Sequence, residues 1–438
     1  MPGPAMTAVR SRNPAHRITT AHLQSAYPFM AACGEWASGV YIGEDVCGGG
    51  GAFCYDPWSL YASGLLTNPN MVVIGQVGRG KSATVKSYVG RSLVFGRRVV
   101  ALDRKGEFDR LCTVAGTRPI RLERGGAVRL NPLDVRLSVA AGIADADIRR
   151  DQLDVLTALG GAACRRALTS TEKAALRVAL DRAVRDTAPD GQPTLREVSR
   201  ALFAPADDDA ARLAMSAREL ADGSRDVALE LDRLVAGDLA GMFDGPTSDG
   251  IDLSHQLVVF DLSEVYQNED MLAVLMVCVA SWVQRLLQRD ADMQRRSILI
   301  LEEAWSCLAN VEVARWMRSL QKLSRQYGVQ VVMVLHRFSD LAATGATGSE
   351  VVAITRGLLS DTETHVVHGM ARTEVEATRV LLGLTDTEAE VIAELPRGRA
   401  LWRVRDRSTV VDLRLSGLEQ WICDTDSRMT AAPVEAAS

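Results

Sequence analysis

Lysine is nearly missing from this chain. Only Lys81, Lys86, Lys105, Lys173 and Lys322 occur in 438 residues, against 45 arginines. The bias, beside heavy alanine use, fits a GC-rich genome, and it marks each retained lysine as a place where a guanidinium does not replace a compact ammonium. The eight cysteines (Cys33, Cys47, Cys54, Cys112, Cys164, Cys278, Cys307 and Cys423) form no Cys-x-x-Cys pair and flank no histidine at zinc spacing. That excludes a zinc ribbon or a disulfide framework and fits reduced cytosolic thiols. Long apolar runs are lacking too. The longest, Met271 to Val283, stops at Gln284-Arg285, short of the roughly 20 residues that a bilayer-spanning helix needs. The segment before Ala21 is basic but has no apolar stretch of the signal-peptide kind, so a soluble, intracellular protein is expected. An excess of positive charge is absent as well: the net charge is −5, so any nucleic-acid contact must be local.

What is present is ordinary globular composition, 47% hydrophobic and 24% charged, in a length that allows roughly three domains or one large domain with insertions. From Asn70 short apolar runs alternate with helical segments, the pattern of a parallel α/β sheet. The predicted strands are Met71–Ile74, Arg98–Leu102, Gln256–Phe260, Ser297–Leu301, Val329–Leu335 and Thr364–Val367, with Ala400–Val404 and Thr409–Leu413 as a terminal pair. Residues 145–240 break the alternation. They hold no convincing strand, Ala175, Leu176, Ala179, Leu180 and Ala183 recur at helical spacing, and capping boxes at Thr169/Glu172 and Thr194/Glu197 mark helix starts. The expected organisation is a tail and lead-in over 1–40, an α/β core over 41–144, an all-helical insertion over 145–240, the rest of the core over 241–423, and a tail over 424–438. The run Gly48 to Gly51 reads as a flexible loop.

Gly75-Gln76-Val77-Gly78-Arg79-Gly80-Lys81-Ser82 follows one predicted strand and opens a helix. It is G-x-x-x-x-G-K-S in the strand–loop–helix setting of a P-loop. Glycines let backbone N–H groups wrap phosphates, the helix N-terminus through Ala83 adds its positive dipole, Lys81 reaches the β- and γ-phosphates, and Ser82 offers a hydroxyl to Mg²⁺. The pattern predicts ATP and Mg²⁺ as cofactors. Such a site needs a carboxylate for the metal and a base for the attacking water. The strand Ser297–Leu301 runs directly into Glu302 and Glu303, which read as metal ligand and base. Asp261, ending another apolar strand, is the rival and lacks an adjacent second acid. Asp103 and Glu107, after a third strand, are candidates for the metal shell or the water. His365 and His368, three apart on a strand, fall on opposite faces and make poor joint metal ligands.

These motifs occur in a fixed order: the P-loop, Asp103-Arg104-Lys105-Gly106-Glu107-Phe108, Asn131-Pro132-Leu133-Asp134, Glu302-Glu303-Ala304-Trp305, then Leu382-Gly383-Leu384-Thr385 and Leu395-Pro396-Arg397-Gly398-Arg399-Ala400-Leu401. The ordered set, spanning Tyr41 to Trp421, resembles the conjugal-transfer ATPases of type IV secretion systems, the TraC and VirB group within the FtsK/HerA superfamily. The resemblance implies a RecA-like P-loop NTPase core with an all-helical insertion, forming a homo-hexamer that hydrolyses ATP between subunits to energise transfer or apparatus assembly. It implies secretion or conjugation components as partners, with DNA a candidate cargo. It implies a cytoplasmic location with peripheral contact at the inner face of the membrane. It gives Lys81 and Ser82 the phosphate and Mg²⁺ roles and Glu303 that of catalytic glutamate, and it puts Asp103, Lys105 and Glu107 on a D-x-K-G-E motif. This chain departs from the pattern in three ways. Glu302 stands where the family has aspartate, His336 stands where a threonine–glutamine pair senses the γ-phosphate, and the P-loop comes so early that the large N-terminal docking domain is expected to be missing and another chain to supply it.

ATPases that fire between subunits place an arginine against the neighbour's γ-phosphate. Arg325, ending a helix, is the candidate here, with Arg356 behind it. Arg399, Arg403 and Arg405 flank Leu401 on one face, either as a nucleic-acid contact or, in the plainer reading, as charge protecting a solvated edge strand. Two other functions stay open: an FtsK- or HerA-like translocase on double-stranded DNA, and a scaffold that binds ATP and hydrolyses it weakly.

Overall fold

The computed structural model describes residues 38–424, apart from 48, 141–142, 189–190, 238–239, 250, 252, 266–268, 293, 305–310 and 337–349. Among the described residues eleven strands are formed: β1 (Val40–Asp45), β2 (Gly51–Tyr55), β3 (Met71–Ile74), β4 (Arg98–Asp103), β5 (Ile120–Arg121), β6 (Leu257–Asp261), β7 (Ser297–Leu301), β8 (Val329–Leu335), β9 (Thr364–His368), β10 (Arg399–Val404) and β11 (Arg407–Leu413). They make one sheet in the order β2-β1-β11-β10-β9-β3-β8-β7-β4-β6-β5. Strands β9, β3, β8, β7, β4, β6 and β5 run parallel to one another, and β10 pairs antiparallel with β9. Strands β10, β11, β1 and β2 are joined antiparallel.

Every residue of β3, β4, β6, β7, β8 and β9 is buried. That is why these strands read as unbroken apolar runs: a parallel sheet is covered by helices on both faces and has no solvent side to select polar residues. The period of two still divides the faces. Val72 and Ile74 join one core with the helices of the middle segment, while Met71 and Val73 join another with Val85, Tyr88 and Val89 of the helix Lys81–Val94.

Between β5 and β6 the described residues form helices Arg136–Ala140, Asp145–Cys164, Ser170–Asp186, Leu195–Phe203, Asp207–Ala211, Ala217–Gly223 and Arg225–Val235, and no strand. Thr169/Glu172 and Thr194/Glu197 make reciprocal capping boxes. The Asn131–Asp134 segment fastens these helices to the sheet. Asn131 Nδ2 donates to the Pro193 carbonyl at 2.9 Å, and Gln152 Nε2 donates to that of Leu133 at 2.8 Å. Trp282 and Arg285, on the helix Glu269–Asp292, donate to the carbonyls of Asn131 and Asp134 at 2.9 and 2.6 Å.

Two expectations are corrected here. Of the Gly48–Gly51 run read as a loop, Gly49 and Gly50 lie in the turn of a β1–β2 hairpin, whereas Gly51 belongs to β2. Strand β10 is interior, between β9 and β11, so its arginines do not guard an edge. Arg399 pairs with Asp412 at 3.3 Å, and Arg403 donates to the Leu382 and Gly383 carbonyls at 2.7 and 2.9 Å. Arg405 lies in the β10–β11 turn, with φ +56, and sits 3.7 Å from Glu363. These arginines therefore knit the sheet to its surroundings.

Candidate nucleotide site

In a parallel sheet the carboxyl ends of all strands lie on one edge, so strand order decides which side chains meet. β8 alone separates β3 from β7, with Ile74 opposite Leu335 and Leu301 opposite Met333. The P-loop and the Glu302-Glu303 pair therefore share an edge, two strands apart. Asp261 ends β6, beyond β7 and β4. Its carboxylate is already engaged, with Arg121 Nε at 3.2 Å and the Ser263 N–H at 3.0 Å.

The P-loop is held from behind. Gly75 has φ +155, and a Cβ there would lie 2.5 Å from the His368 Cβ, so no other residue fits against the end of β9. The Gln76 N–H donates to the Gly369 carbonyl at 3.1 Å, and the Gly398 N–H to that of Arg79 at 3.2 Å. The Leu395–Leu401 stretch thus braces the loop. Gly80, left-handed at φ +108, caps the helix Lys81–Val94. With no side-chain cap on that terminus, its N–H groups remain for an anion.

Lys81 is 5% exposed and folds back on the loop, its Nζ donating to the Gly75 carbonyl at 2.6 Å and to that of Gln76 at 3.1 Å. Burial, with the Lys105 ammonium adding repulsion, pushes it down to about 8, while Glu303, Glu302 and Glu107 pull the other way. The carboxylates are close enough for Lys81 to feel all three. His368 is fully buried beside the loop, its Nε2 3.2 Å from Thr84 Oγ1, and burial together with Lys81 pushes it down to about 3. It is a neutral packing and hydrogen-bonding residue.

Glu302 and Glu303 differ sharply. Glu302 is 5% exposed, its Oε1 has no hydrogen-bond partner among the described residues, and burial beside Asp103 and Glu107 raises it to about 8. A buried, orphaned carboxylate oxygen calls for a partner. A divalent cation beside the phosphates would supply one and keep the group ionised, so the residues fit Mg²⁺ with Ser82 and Glu302 as its protein ligands. Among the described residues no three His, Cys, Asp or Glu side chains converge as a metal centre. A cation here would complete its shell with phosphate oxygens and water, as Mg²⁺ ordinarily does.

Glu303 is left-handed, φ +53. Its Oε1 takes Lys105 Nζ at 2.5 Å and also His336 Nε2. Burial opposes its ionisation, yet the hydrogen bonds from His336 and Lys105 outweigh that and hold it down at about 2.

Asp103 does not reach toward the nucleotide. Its carboxylate accepts the N–H groups of Lys105, Gly106 and Phe108 at 3.0, 3.0 and 2.9 Å, which builds the loop that presents Lys105. Glu107 pairs at 3.2 Å with Lys86, a residue of the P-loop helix only 1% exposed. Sequence reasoning passed over Lys86. Its signal was the scarcity of lysine: three of the five lie in this one site. Arg325 is exposed in the last turn of the helix Val311–Tyr327, just before β8 begins. It therefore sits at the opposite edge of the sheet, roughly 20 Å from its own P-loop by the length of a seven-residue strand. Arg356 is exposed on the helix Glu350–Ser360. Trp305 lies outside the described residues.

Residues 245–408 match the model of the TraG P-loop domain. The match runs from just before β6 to the β10–β11 hairpin and does not include the glycine-rich loop itself. Among curated proteins none matches the sequence. Among solved structures, VirB4 of Thermoanaerobacter pseudethanolicus is similar with a TM-score of 0.69 and 23% identity, over 88% of this chain and 98% of that one. The plasmid coupling protein TrwB in complex with ADP and Mg²⁺ is similar with a TM-score of 0.52 and 19% identity, over 79% and 86% of the two chains. TrwB with the non-hydrolysable analogue ADPNP gives 0.52 and 17%, over 79% and 85%. The chain has the RecA-like P-loop NTPase fold of these proteins, and residues 245–408 are similar to the TraG P-loop domain. The resemblance read from the ordered motifs is borne out.

Proposed function

We propose that this chain is an ATP-hydrolysing motor of the conjugative-transfer type, working as a homo-hexamer with secretion or conjugation components. The observation that carries the reading is the meeting, on one sheet edge, of the P-loop lysine with the adjacent Glu302 and Glu303. In this reading Gly75 to Ala83 cradle the triphosphate, Lys81 leaves the Gly75 and Gln76 carbonyls for phosphate oxygens, and Ser82 and Glu302 hold the metal. Bound ATP·Mg²⁺ supplies a transferable phosphoryl group whose charge is partly neutralised. Glu303 accepts the proton of the attacking water. The similarity to TrwB, solved with ADP and Mg²⁺, supports the choice of nucleotide and metal.

The test is steady-state ATPase of the purified chain with no nucleic acid, with single-stranded DNA and with double-stranded DNA, with oligomeric mass measured in the same samples. Glu303→Gln is expected to abolish turnover, at least about 100-fold, and to retain ATP binding. Turnover that survives in Glu303→Gln removes the assigned base. A wild-type chain that binds ATP without turnover is the scaffold instead, and stimulation by duplex DNA with movement along it identifies a translocase.

A further inference from the structure

The clamp around Glu303 is more than the water-activating role requires. A base that orients water needs a lone pair facing the water, and at Glu303 the Lys105 ammonium at 2.5 Å and the His336 ring both hold Oε1, which fixes the direction in which the second oxygen can face. Those two partners are themselves 3.1 Å apart, Lys105 Nζ to His336 Nε2, so the three groups close a triangle. Each comes from a different strand end: Lys105 follows β4, Glu303 follows β7 and His336 follows β8. The triangle therefore pins three adjacent strands at the nucleotide edge.

The lysine is presented by a rigid device. Asp103 collects three backbone N–H groups of its own loop, and Glu107 fastens that loop through Lys86 to the helix that begins at the P-loop. The ammonium itself is not deeply buried, with its side chain 37% exposed, whereas the Glu303 side chain is only 9% exposed and keeps the His336 contact when Lys105 is withdrawn. Glu303 sits in left-handed backbone without being glycine, a conformation that persists only when its surroundings hold it.

We propose that Lys105 and His336 are positioning residues that hold Glu303 in a resting orientation, and that hydrolysis waits on withdrawal of the Asp103–Phe108 loop. The inference rests on the assignment of Glu303 as the water base. The loop is connected to the P-loop helix by Lys86–Glu107, so a shift of that helix is transmitted to the clamp. The proposal also accounts for a lysine here in a chain that otherwise uses arginine: a compact ammonium fits between one carboxylate oxygen and an imidazole.

The experiment measures kcat and KM for ATP, together with nucleotide affinity, in the full chain carrying Lys105→Met, Lys105→Arg, His336→Asn or Glu303→Gln, each checked for its melting temperature. Lys105→Met is expected to raise basal kcat about threefold or more while KM and ATP affinity stay within about twofold, a split that a merely structural residue does not give. Lys105→Arg keeps the charge without the compact head and is expected to give a kcat between those of wild type and Lys105→Met. His336→Asn is the second reading should Lys105→Met fold poorly, and it too is expected to raise kcat. A kcat unchanged or lowered in folded Lys105→Met, or in His336→Asn where Lys105→Met does not fold, overturns the clamp while leaving Glu303 as base if Glu303→Gln is inactive. Activity retained in Glu303→Gln overturns the base assignment and the clamp with it.

Discussion

Gly75 is the residue on which the loop geometry turns. Its missing Cβ is the space that lets β3 end against β9, since a methyl there meets His368. Gly75→Ala is therefore expected to push the loop away from the Gly369 and Gly398 braces and to lower stability by about 1–3 kcal/mol. The more telling measurement is nucleotide titration: affinity is expected to fall about tenfold or more, because the backbone N–H groups no longer converge. Affinity equal to wild type would mean that the loop does not use this conformation to bind. At this scale the P-loop and the Glu302-Glu303 pair were legible from residue type and spacing. The environment of each acid was not. Nothing local distinguishes Glu302, raised to about 8 by burial, from Glu303, held at about 2 by His336 and Lys105, because the groups that separate them arrive from other strands. Lys86 was hidden for the same reason, its partner Glu107 being 21 positions away.

Elements dock on the P-loop helix through charge as well as apolar surface. Glu419, in the helix Gly417–Cys423, is held by Arg91 at 2.6 Å, Ser87 Oγ at 2.8 Å and the Ser416 N–H at 2.8 Å. Burial resists its ionisation, but Arg91 and the Ser416 and Ser87 hydrogen bonds prevail and hold the carboxyl down at about 2. A carboxyl with a folded-state value below its unfolded one, about 4.5, adds stability that is complete above pH 4.5. That stability drains away as pH falls toward 2. Glu419→Gln is expected to cost about 1–2 kcal/mol near neutrality and to flatten stability between pH 5 and about 2, as urea melts at several pH values would read. An unchanged acid limb would remove Glu419 from the account. A second element contact is more deeply buried. Arg98, opening β4, meets Asp290 of the helix Glu269–Asp292 at 2.9 Å, both side chains nearly inaccessible. Asp290→Ala strands a buried guanidinium and is expected to cost about 3–5 kcal/mol by denaturant titration; a loss under about 1 would show that the pair is expendable. The strands of the parallel sheet were legible because burial on both faces leaves unbroken apolar runs. The β1–β2 hairpin was not, for two reasons. Exposed and buried positions are mixed along both strands, and Gly43 breaks the first run only because the Asp412 carbonyl comes too near for a side chain.

Across the whole molecule the sheet keeps Arg325 away from its own nucleotide. The P-loop lies at the carboxyl edge, and Arg325 ends the helix that delivers the chain to the opposite edge, exposed to solvent. A direct role at the triphosphate therefore requires another subunit, and that requirement can be tested by mixing. Lys81→Ala subunits keep Arg325 but cannot bind nucleotide productively; Arg325→Ala subunits keep the P-loop but lack the arginine. Each preparation alone is expected to be inactive, or reduced about 100-fold. When the two are assembled together, some interfaces pair an intact P-loop with an intact Arg325, and turnover is expected to reappear at up to about a quarter of the wild-type rate for random mixing of equal amounts without further coupling between sites. The comparison needs mass measurements to show that mixed assemblies form. Recovery would tie catalysis to the subunit boundary and to this arginine. Mixed assemblies that stay inactive, or an Arg325→Ala chain that hydrolyses ATP at the wild-type rate alone, would exclude Arg325 and send the search to the Arg356 side of the molecule.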